Sequence, residues 1–395
     1  MVPDDRIVIC GAARTPIGGF QGDFKDLTAP QLGAVAIRAA VERSGLTADA
    51  IDEVLMGCVL PAGIGQAPAR QAAIGAGLKL STGATTVNKV CGSGMKATML
   101  AHDLLVAGSA RVAVAGGMES MSNAPYLLDR ARAGYRMGHQ RVLDHMFFDG
   151  LEDAYDKGRL MGTFAEKCAS VYSFTRAEQD AYSLESLRRA QQAGSDGSFA
   201  AEIVPVTVKQ GGVERVVSQD EQPLKAKPEK IPLLKPAFDE HGTVTAGNSS
   251  SISDGAAALV LMRRSEAERR GVAPRATIIG HATHSQEPSL FTTAPIGAIR
   301  ALLERTGWTL DDVDLFEISE AFAVVALATM RDLGLPHEKV NVHGGACALG
   351  HPIGASGARL IVTLLAAMEK YDVKRGIASL CIGGGEAVAM AIERA

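Results

Sequence analysis

"AIRAAVERSG", Ala36–Gly45, and "AIRALLERTG", Ala298–Gly307, agree at seven of ten positions across an offset of 262 residues. The agreement continues downstream, where "LTADAIDEVLMG" follows the first copy and "WTLDDVDLFEIS" the second. Each copy reads as an amphipathic helix stopped by a glycine cap, a short acidic turn and then a buried strand. A second pair of segments repeats in the same order. "GSGMKATMLAHDLLVAG", after Cys91, matches "GASGARLIVTLLAAMEK" from Gly354, and each leads to an apolar strand ending in glycines, "VAVAGG" and "IASLCIGGG". Agreement in both order and spacing separates this from coincidence among helix-favouring residues. The reading is α/β: two units of the same topology in a layered, internally duplicated core.

Between the copies, from about Asn123 to Ser251, the α/β rhythm breaks. This stretch carries a charged helix, "TRAEQDAYSLESLRRAQQA", and proline-rich pieces, "PLKAKPEKIPLLKPAF". It reads as an inserted subdomain. "SDGAAALVLMRRSEAERRG", Ser253–Gly271, then returns to strand and helix and closes the first unit. The expected boundaries are 1–122 with 252–275 for the first half, 123–251 for the insertion and 276–395 for the second half.

Bulk properties narrow the function classes. The 395 residues are 47% hydrophobic and 21% charged, with a formal net charge of −4. That is a globular composition with no basic footprint for nucleic acid. No apolar run is long enough to span a bilayer, and "MVPDDRIVICGAART" is too acidic for a signal peptide. The six cysteines are dispersed with no C-x-x-C pair, which argues against a structural zinc site and a disulfide framework. A reduced, cytoplasmic protein is expected. Glycine stands at 43 of 395 residues, above the usual ~7%. The excess clusters in a few segments, as for sites built from backbone.

Three of those segments frame reactive side chains. In "VNKVCGSGMKATML", Cys91 sits between a strand-like run and a helix, with glycines at Gly92 and Gly94. The free N–H groups and dipole of a helix N-terminus favour a thiolate, so a lowered thiol pKa is expected there. The competing reading is a small cysteine packed in the core. In "GGACALGHPIGASGA", His351 precedes a proline between glycine-rich turns. The repeat aligns this loop with that of Cys91 and so brings the two together, and an adjacent histidine is the usual activator of a thiol. In "SLCIGGGEA", Cys381 ends an apolar strand before three glycines whose N–H groups suit an oxyanion hole. "HATH", His281–His284, lacks a third ligand nearby in the sequence, so no metal is expected. "GGMESM" and "GIGQAPARQA" look like phosphate loops but match neither nucleotide-binding pattern.

Taken in order, "VNKVCGSGMKA", "AGGMESMSNAPY", "GTVTAGNSSSISDGAAA", "SEAFA", "GGACALGHPIGASGAR" and "CIGGGEAVA" resemble the thiolase family over essentially the whole chain, nearest to the acetoacetyl-CoA thiolases. The resemblance implies a five-layered α-β-α-β-α core of two duplicated halves, with a loop domain that binds coenzyme A. It implies that Cys91 takes up an acetyl group as a thioester, that His351 activates Cys91 and that Cys381 is the second acid/base. It also implies two oxyanion holes, one from His351 with a water and the other from the backbone N–H groups of Cys91 and Gly383. Ser250 matches a residue of the pantetheine channel, Met161 and Phe322 match its walls, and Phe291 a residue near the acyl end. The implied partners are acetyl-CoA, acetoacetyl-CoA and CoA, as substrates and products. No metal or other cofactor is implied, and neither nucleic acid nor membrane. "MSNAPYLLDRARAGYRMGHQRVLDHMFFDGL" resembles the family's tetramer-contact region, so a homotetramer built as a dimer of dimers is expected.

Two departures stand out. Ser319 occupies the place of the family's asparagine in "NEAF", which holds the oxyanion-hole water. Pro223 occupies the place of a tyrosine beside potassium in some animal acetoacetyl-CoA thiolases. The alternatives are a broader 3-ketoacyl-CoA thiolase of fatty-acid breakdown, a weakly active CoA-binding relative, and a carrier-protein-dependent ketosynthase. The cysteine in "CIGGG" argues against the last, whose members place two histidines, or a histidine and an asparagine, beside the nucleophile.

Overall fold

The computed structural model describes residues 5–395; residues 1–4 of the expected first half lie outside the described residues. The principal strands are Ile7–Arg14 (β1), Glu53–Gly57 (β2), Gly83–Val87 (β3), Val112–Ser120 (β4), Ser253–Arg263 (β5), Ala276–Ser285 (β6), Leu315–Ile318 (β7), Arg375–Ile382 (β8) and Glu386–Arg394 (β9). Their spatial order is β7-β8-β9-β6-β1-β5-β4-β2-β3. In the first half β1–β5 and β5–β4 are antiparallel, and β4–β2 and β2–β3 parallel. The second half repeats this, with β6–β9 and β9–β8 antiparallel and β8–β7 parallel. The halves meet at Val8–Thr277 and Ile9–Ala276.

The duplication reaches single residues. The register of β1 shifts between Ile9 and Gly11, and that of β6 between Ile278 and Gly280. Such a bulge bends a strand and re-aims its end. A Cβ on Gly11 would lie 2.9 Å from Ser44 Cβ, and one on Gly280 would lie 3.1 Å from Thr306 Cγ2. Ser44 and Thr306 are themselves equivalent across the offset seen in the sequence.

Seven helices matter here: Ala29–Arg43 (α1), Ser93–Ala107 (α2), Met161–Tyr172 (α3), Arg176–Ser195 (α4), Ala294–Thr306 (α5), Ala323–Leu333 (α6) and Ser356–Lys370 (α7). A Thr28–Gln31 capping box starts α1. The chain leaves α1 and α5 through Gly45 and Gly307, at φ +75° and +72°. Leu32 and Ile37 of α1 pack on Val8, Val54 and Val260. Ile299 and Leu302 of α5 pack on Phe316 and Ile377. Between the two sheet halves lie α2 and α7: Met95, Met99, Leu360 and Leu364 share one core with Ile9 and Leu261 on one side and Leu380 and Met390 on the other. The result is α-β-α-β-α. At the middle crossing, a Cβ on Gly357 would lie 2.4 Å from Met95 N and one on Gly94 2.8 Å from Ala358 N, so the two backbones touch.

The segment between β4 and β5 contributes α3, α4 and the hairpin Val206–Gln210/Val213–Val217. It is anchored by Arg14, fully buried at the end of β1, whose guanidinium reaches Glu202 at 2.6 Å and Asp220 at 2.7 Å. Satisfied on both sides, the charge is tolerated where an unpaired one would not be. Among the described residues, no helix is long and apolar enough to cross a membrane.

Candidate active site

Cys91 lies between β3 and α2 in a turn that strains its neighbour. Val90 has φ +46°, a region in which a β-branched residue is a true outlier. Such conformations cost on the order of 1–3 kcal/mol and persist where the surroundings hold them. Here Val90 N–H donates to Asn88 Oδ1 at 3.0 Å, Gly92 N–H to the Lys89 carbonyl at 3.0 Å, and Ser93 Oγ to the Val90 carbonyl at 2.6 Å. Lys89 is pinned to Glu386 of β9 at 2.6 Å. A Cβ on Gly92 would lie 2.4 Å from Ile382 Cδ1, so a side chain there would displace Ile382.

The expected thiolate is not the resting state. Burial pushes the Cys91 thiol up to about 11, against the N–H groups of Gly383 and Cys91 itself, and Glu119 raises it further. Desolvation outweighs the helix terminus, so at neutral pH the sulfur carries a proton and needs a base.

His351 presents an unprotonated ring nitrogen. Gly350, at φ +107°, would drive a Cβ to 2.1 Å from Ser253 Oγ, so only glycine makes this approach. His351 N–H donates to the Ser251 carbonyl at 3.0 Å. Its Nδ1 lies 2.6 Å from Ser356 Oγ, whose own proton goes to the Pro352 carbonyl at 2.9 Å. The hydroxyl must therefore accept from Nδ1–H, leaving the lone pair on Nε2. That Nε2 is buried and has no hydrogen-bond partner. Burial, aided by the Arg359 charge, lowers the ring to about 4, so it is neutral at pH 7.

Cys381 ends β8, 1% exposed. Its thiol is held well above the ordinary range by burial first and next by the charge Cys91 would carry, which places the two sulfurs within Coulombic reach. Cys381 shares an apolar cluster with Phe291, Phe322 and Met161. The Phe291 and Phe322 rings meet edge-on at 6.4 Å. A Cβ on Gly383 would lie 3.4 Å from Met161 Sδ. Ser250 N–H donates to the Ala321 carbonyl at 2.9 Å, next to Phe322. Ser319 follows β7; its hydroxyl is buried and without a partner.

Two carboxylates absent from the sequence reading hold this assembly. Glu119, in "GGMES", accepts N–H bonds from Val59 at 3.0 Å, Leu60 at 3.2 Å and Gly354 at 2.9 Å, tying the His351 loop to the exit of β2. Burial raises its carboxyl to about 7 despite those donors. Glu320, beside Ser319, accepts from Tyr182 Oη at 2.8 Å, Ser186 Oγ at 2.7 Å, Asn341 Nδ2 at 2.8 Å and Cys347 N at 3.0 Å. An acidic residue inside the apolar runs "VAVAGGMES" and "LFEISEAFA" was the available signal.

The two family models for thiolases match this chain end to end, the thiolase N-terminal domain over residues 7–265 and the thiolase C-terminal domain over residues 272–394.

The chain belongs to the thiolase family.

Relatives agree in length as well as sequence. An acetyl-CoA acetyltransferase of Cupriavidus necator is 48% identical over 390 residues, covering 98% of this chain and 99% of its own. An acetyl-CoA acetyltransferase of Schizosaccharomyces pombe is 46% identical over 391 residues, with the same coverage. The Acat5 thiolase of Ascaris suum, solved in complex with coenzyme A, superimposes with a TM-score of 0.93 at 42% identity, covering 99% of this chain and 100% of that one. The fold is thus that of a thiolase.

Proposed function

We propose that this thiolase is an acetyl-CoA C-acetyltransferase that joins two acetyl-CoA into acetoacetyl-CoA and CoA, reversibly, through an acetyl thioester on Cys91. The observation that carries the reading is the buried, unpartnered Nε2 of a neutral His351, on the loop whose Ile353 belongs to the cluster that Cys91 packs against, with the Cys91 charge acting on the Cys381 thiol. The relatives' acetyl-CoA chemistry supports it.

In the first half-reaction His351 Nε2 takes the Cys91 proton, and the thiolate attacks the carbonyl carbon of acetyl-CoA. The tetrahedral oxyanion collapses, breaking the bond to CoA sulfur, and CoA leaves with the proton of Cys381, while His351 keeps the one it took from Cys91. In the second, Cys381 as thiolate removes an α-proton from another acetyl-CoA. A thiol whose pKa is held high is a strong base once ionised, as a weak carbon acid demands. The carbanion attacks the acetyl carbonyl on Cys91; collapse expels the Cys91 sulfur, which takes its proton back from His351, and frees acetoacetyl-CoA. The N–H groups of Cys91 and Gly383 serve the oxyanion on the acylated sulfur. His351 Nε2 and a water held by the Ser319 hydroxyl serve the enolate oxygen. Fixed donors of this kind are the largest single contribution in many acyl transfers. Met161, Phe322, Phe291 and Ser250 line the way in, and the bulk of Phe291 favours short acyl groups.

The same reading assigns 1–122 with 252–275 and 276–395 to the two halves and 123–251 to coenzyme A binding and assembly. The hairpin Tyr126–Leu127/Leu143–Asp144 and its loop expose Tyr126, Leu128, Met137 and Val142, the last two at 91% and 59%, which supports contacts within a dimer of dimers. The six cysteines are free, which supports a reducing cytoplasm.

Thiolysis rates on a chain-length series of 3-ketoacyl-CoA esters test the specificity. Acetoacetyl-CoA is expected to be cleaved fastest; equal rates on long chains would make this a broad 3-ketoacyl-CoA thiolase instead.

A further inference from the structure

The "HATH" motif has the ligands that its own neighbourhood in the sequence lacks. Spacing of three along the extended β6 sends His281 and His284 to opposite faces. His284 Nε2 turns to Gln286 Oε1 at 3.1 Å. His281 meets α2 instead: its Nε2 lies 3.0 Å from Asp103 Oδ1, and His102 Nδ1 lies 3.0 Å from the same oxygen. The two imidazoles stand edge to face, 5.0 Å between centroids at 87°. The three donor atoms all lie within 4.8 Å of one another.

We propose that His102, Asp103 and His281 form a binding site for a late first-row divalent cation, zinc foremost, remote from the acyl-transfer chemistry. Two imidazoles and one carboxylate with an open fourth position are a zinc donor set. Bonds of roughly 2.0–2.1 Å in a tetrahedron separate ligand atoms by about 3.3 Å, so the cluster needs little movement to close on an ion. Its side chains are ordered by the scaffold: His102 is 19% exposed and His281 11%, while Asp103, at 55%, opens the site to solvent. On binding, each ring frees the nitrogen now turned to Asp103, its proton going to the other ring nitrogen or to solvent. Arg305 works against the ion, its guanidinium donating to the His281 carbonyl at 2.8 Å. Such an ion would clamp the first strand of the second half to the helix that begins just after Cys91.

The test is a Co²⁺ titration of chelator-treated protein followed by visible absorption, with Zn²⁺ as competitor. The expected result is one Co²⁺ per chain with d–d bands, no sulfur-to-cobalt charge-transfer band, and displacement by Zn²⁺. Asp103→Asn and His281→Gln should each weaken binding by at least about 100-fold, and Arg305→Gln should tighten it. Zn²⁺ should raise the Tm of wild type but not of His281→Gln, with thiolysis activity before metal addition unchanged in that variant. Binding that is lost in Cys91→Ala and kept in His281→Gln, or that carries the sulfur band, would overturn the proposal. So would no Co²⁺ binding to wild type.

Discussion

His351 Nδ1 and Ser356 Oγ stand 2.6 Å apart, and because the serine proton is committed to the Pro352 carbonyl the pair fixes one imidazole tautomer. Ser356→Ala removes that constraint without touching the reacting sulfur. Hydrogen-bond partners that orient metal-bound histidines are typically worth 10–100-fold, and by the same positioning argument kcat for thiolysis is expected to fall by roughly that factor. Alkylation of Cys91 by iodoacetamide at pH 7 should slow in parallel; an unchanged alkylation rate would leave Ser356 a packing residue.

Ser319 puts a hydroxyl where the resemblance to "NEAF" implies a longer amide. If that buried, unpartnered oxygen holds the water of an oxyanion hole, Ser319→Ala should lower kcat by on the order of 10²–10³. Ser319→Asn should retain activity or gain it. Steady-state thiolysis of acetoacetyl-CoA reads both, and an Ala variant as fast as wild type would remove Ser319 from the site.

His343 gives an acid-sensitivity prediction. Both its ring nitrogens are buried without partners, its ring packs edge-on against Phe199 at 5.8 Å, and burial lowers it to about 4 from 6.5. Between those values the unfolded chain binds more protons than the folded one, so stability falls as pH falls. The contribution is present in full above about 6.5 and is lost through about 4, on the order of 3 kcal/mol. Denaturation of His343→Asn followed from pH 7 to 4 should show a shallower loss than wild type; parallel curves would contradict it.

Pro223 carries no hydroxyl, and its carbonyl already accepts from Gln191 Nε2 at 2.9 Å. Thiolysis rates at equal ionic strength in KCl and NaCl are therefore expected to match. Stimulation specific to potassium would show that another set of oxygens holds the ion.

The duplication was legible because helix, cap and strand repeat locally, so seven identities in Ala36–Gly45 carried a whole architecture. The loops of Cys91 and His351 were legible through the same alignment, and the Gly94–Gly357 crossing is its physical form. The Cys91 ionisation state was not, because a helix N-terminus can be read from sequence whereas the burial opposing it, and the Glu119 charge that adds to it, come from residues distant along the chain. The role of Glu320 is hidden in the sequence for the same reason: its donors Tyr182 and Ser186 lie more than a hundred residues away. Near neighbours of "HATH" in the sequence show no third ligand, because its partners His102 and Asp103 arrive only when α2 packs on β6.

Cys91 as the acyl acceptor is the central claim, and acid-quenched mass spectrometry of the protein after a brief exposure to acetyl-CoA tests it most directly. The account predicts one acetyl group per chain, on the peptide containing Cys91, removed by added CoA and absent in Cys91→Ala. Acetylation at Cys381 instead, or none on wild type, would contradict it.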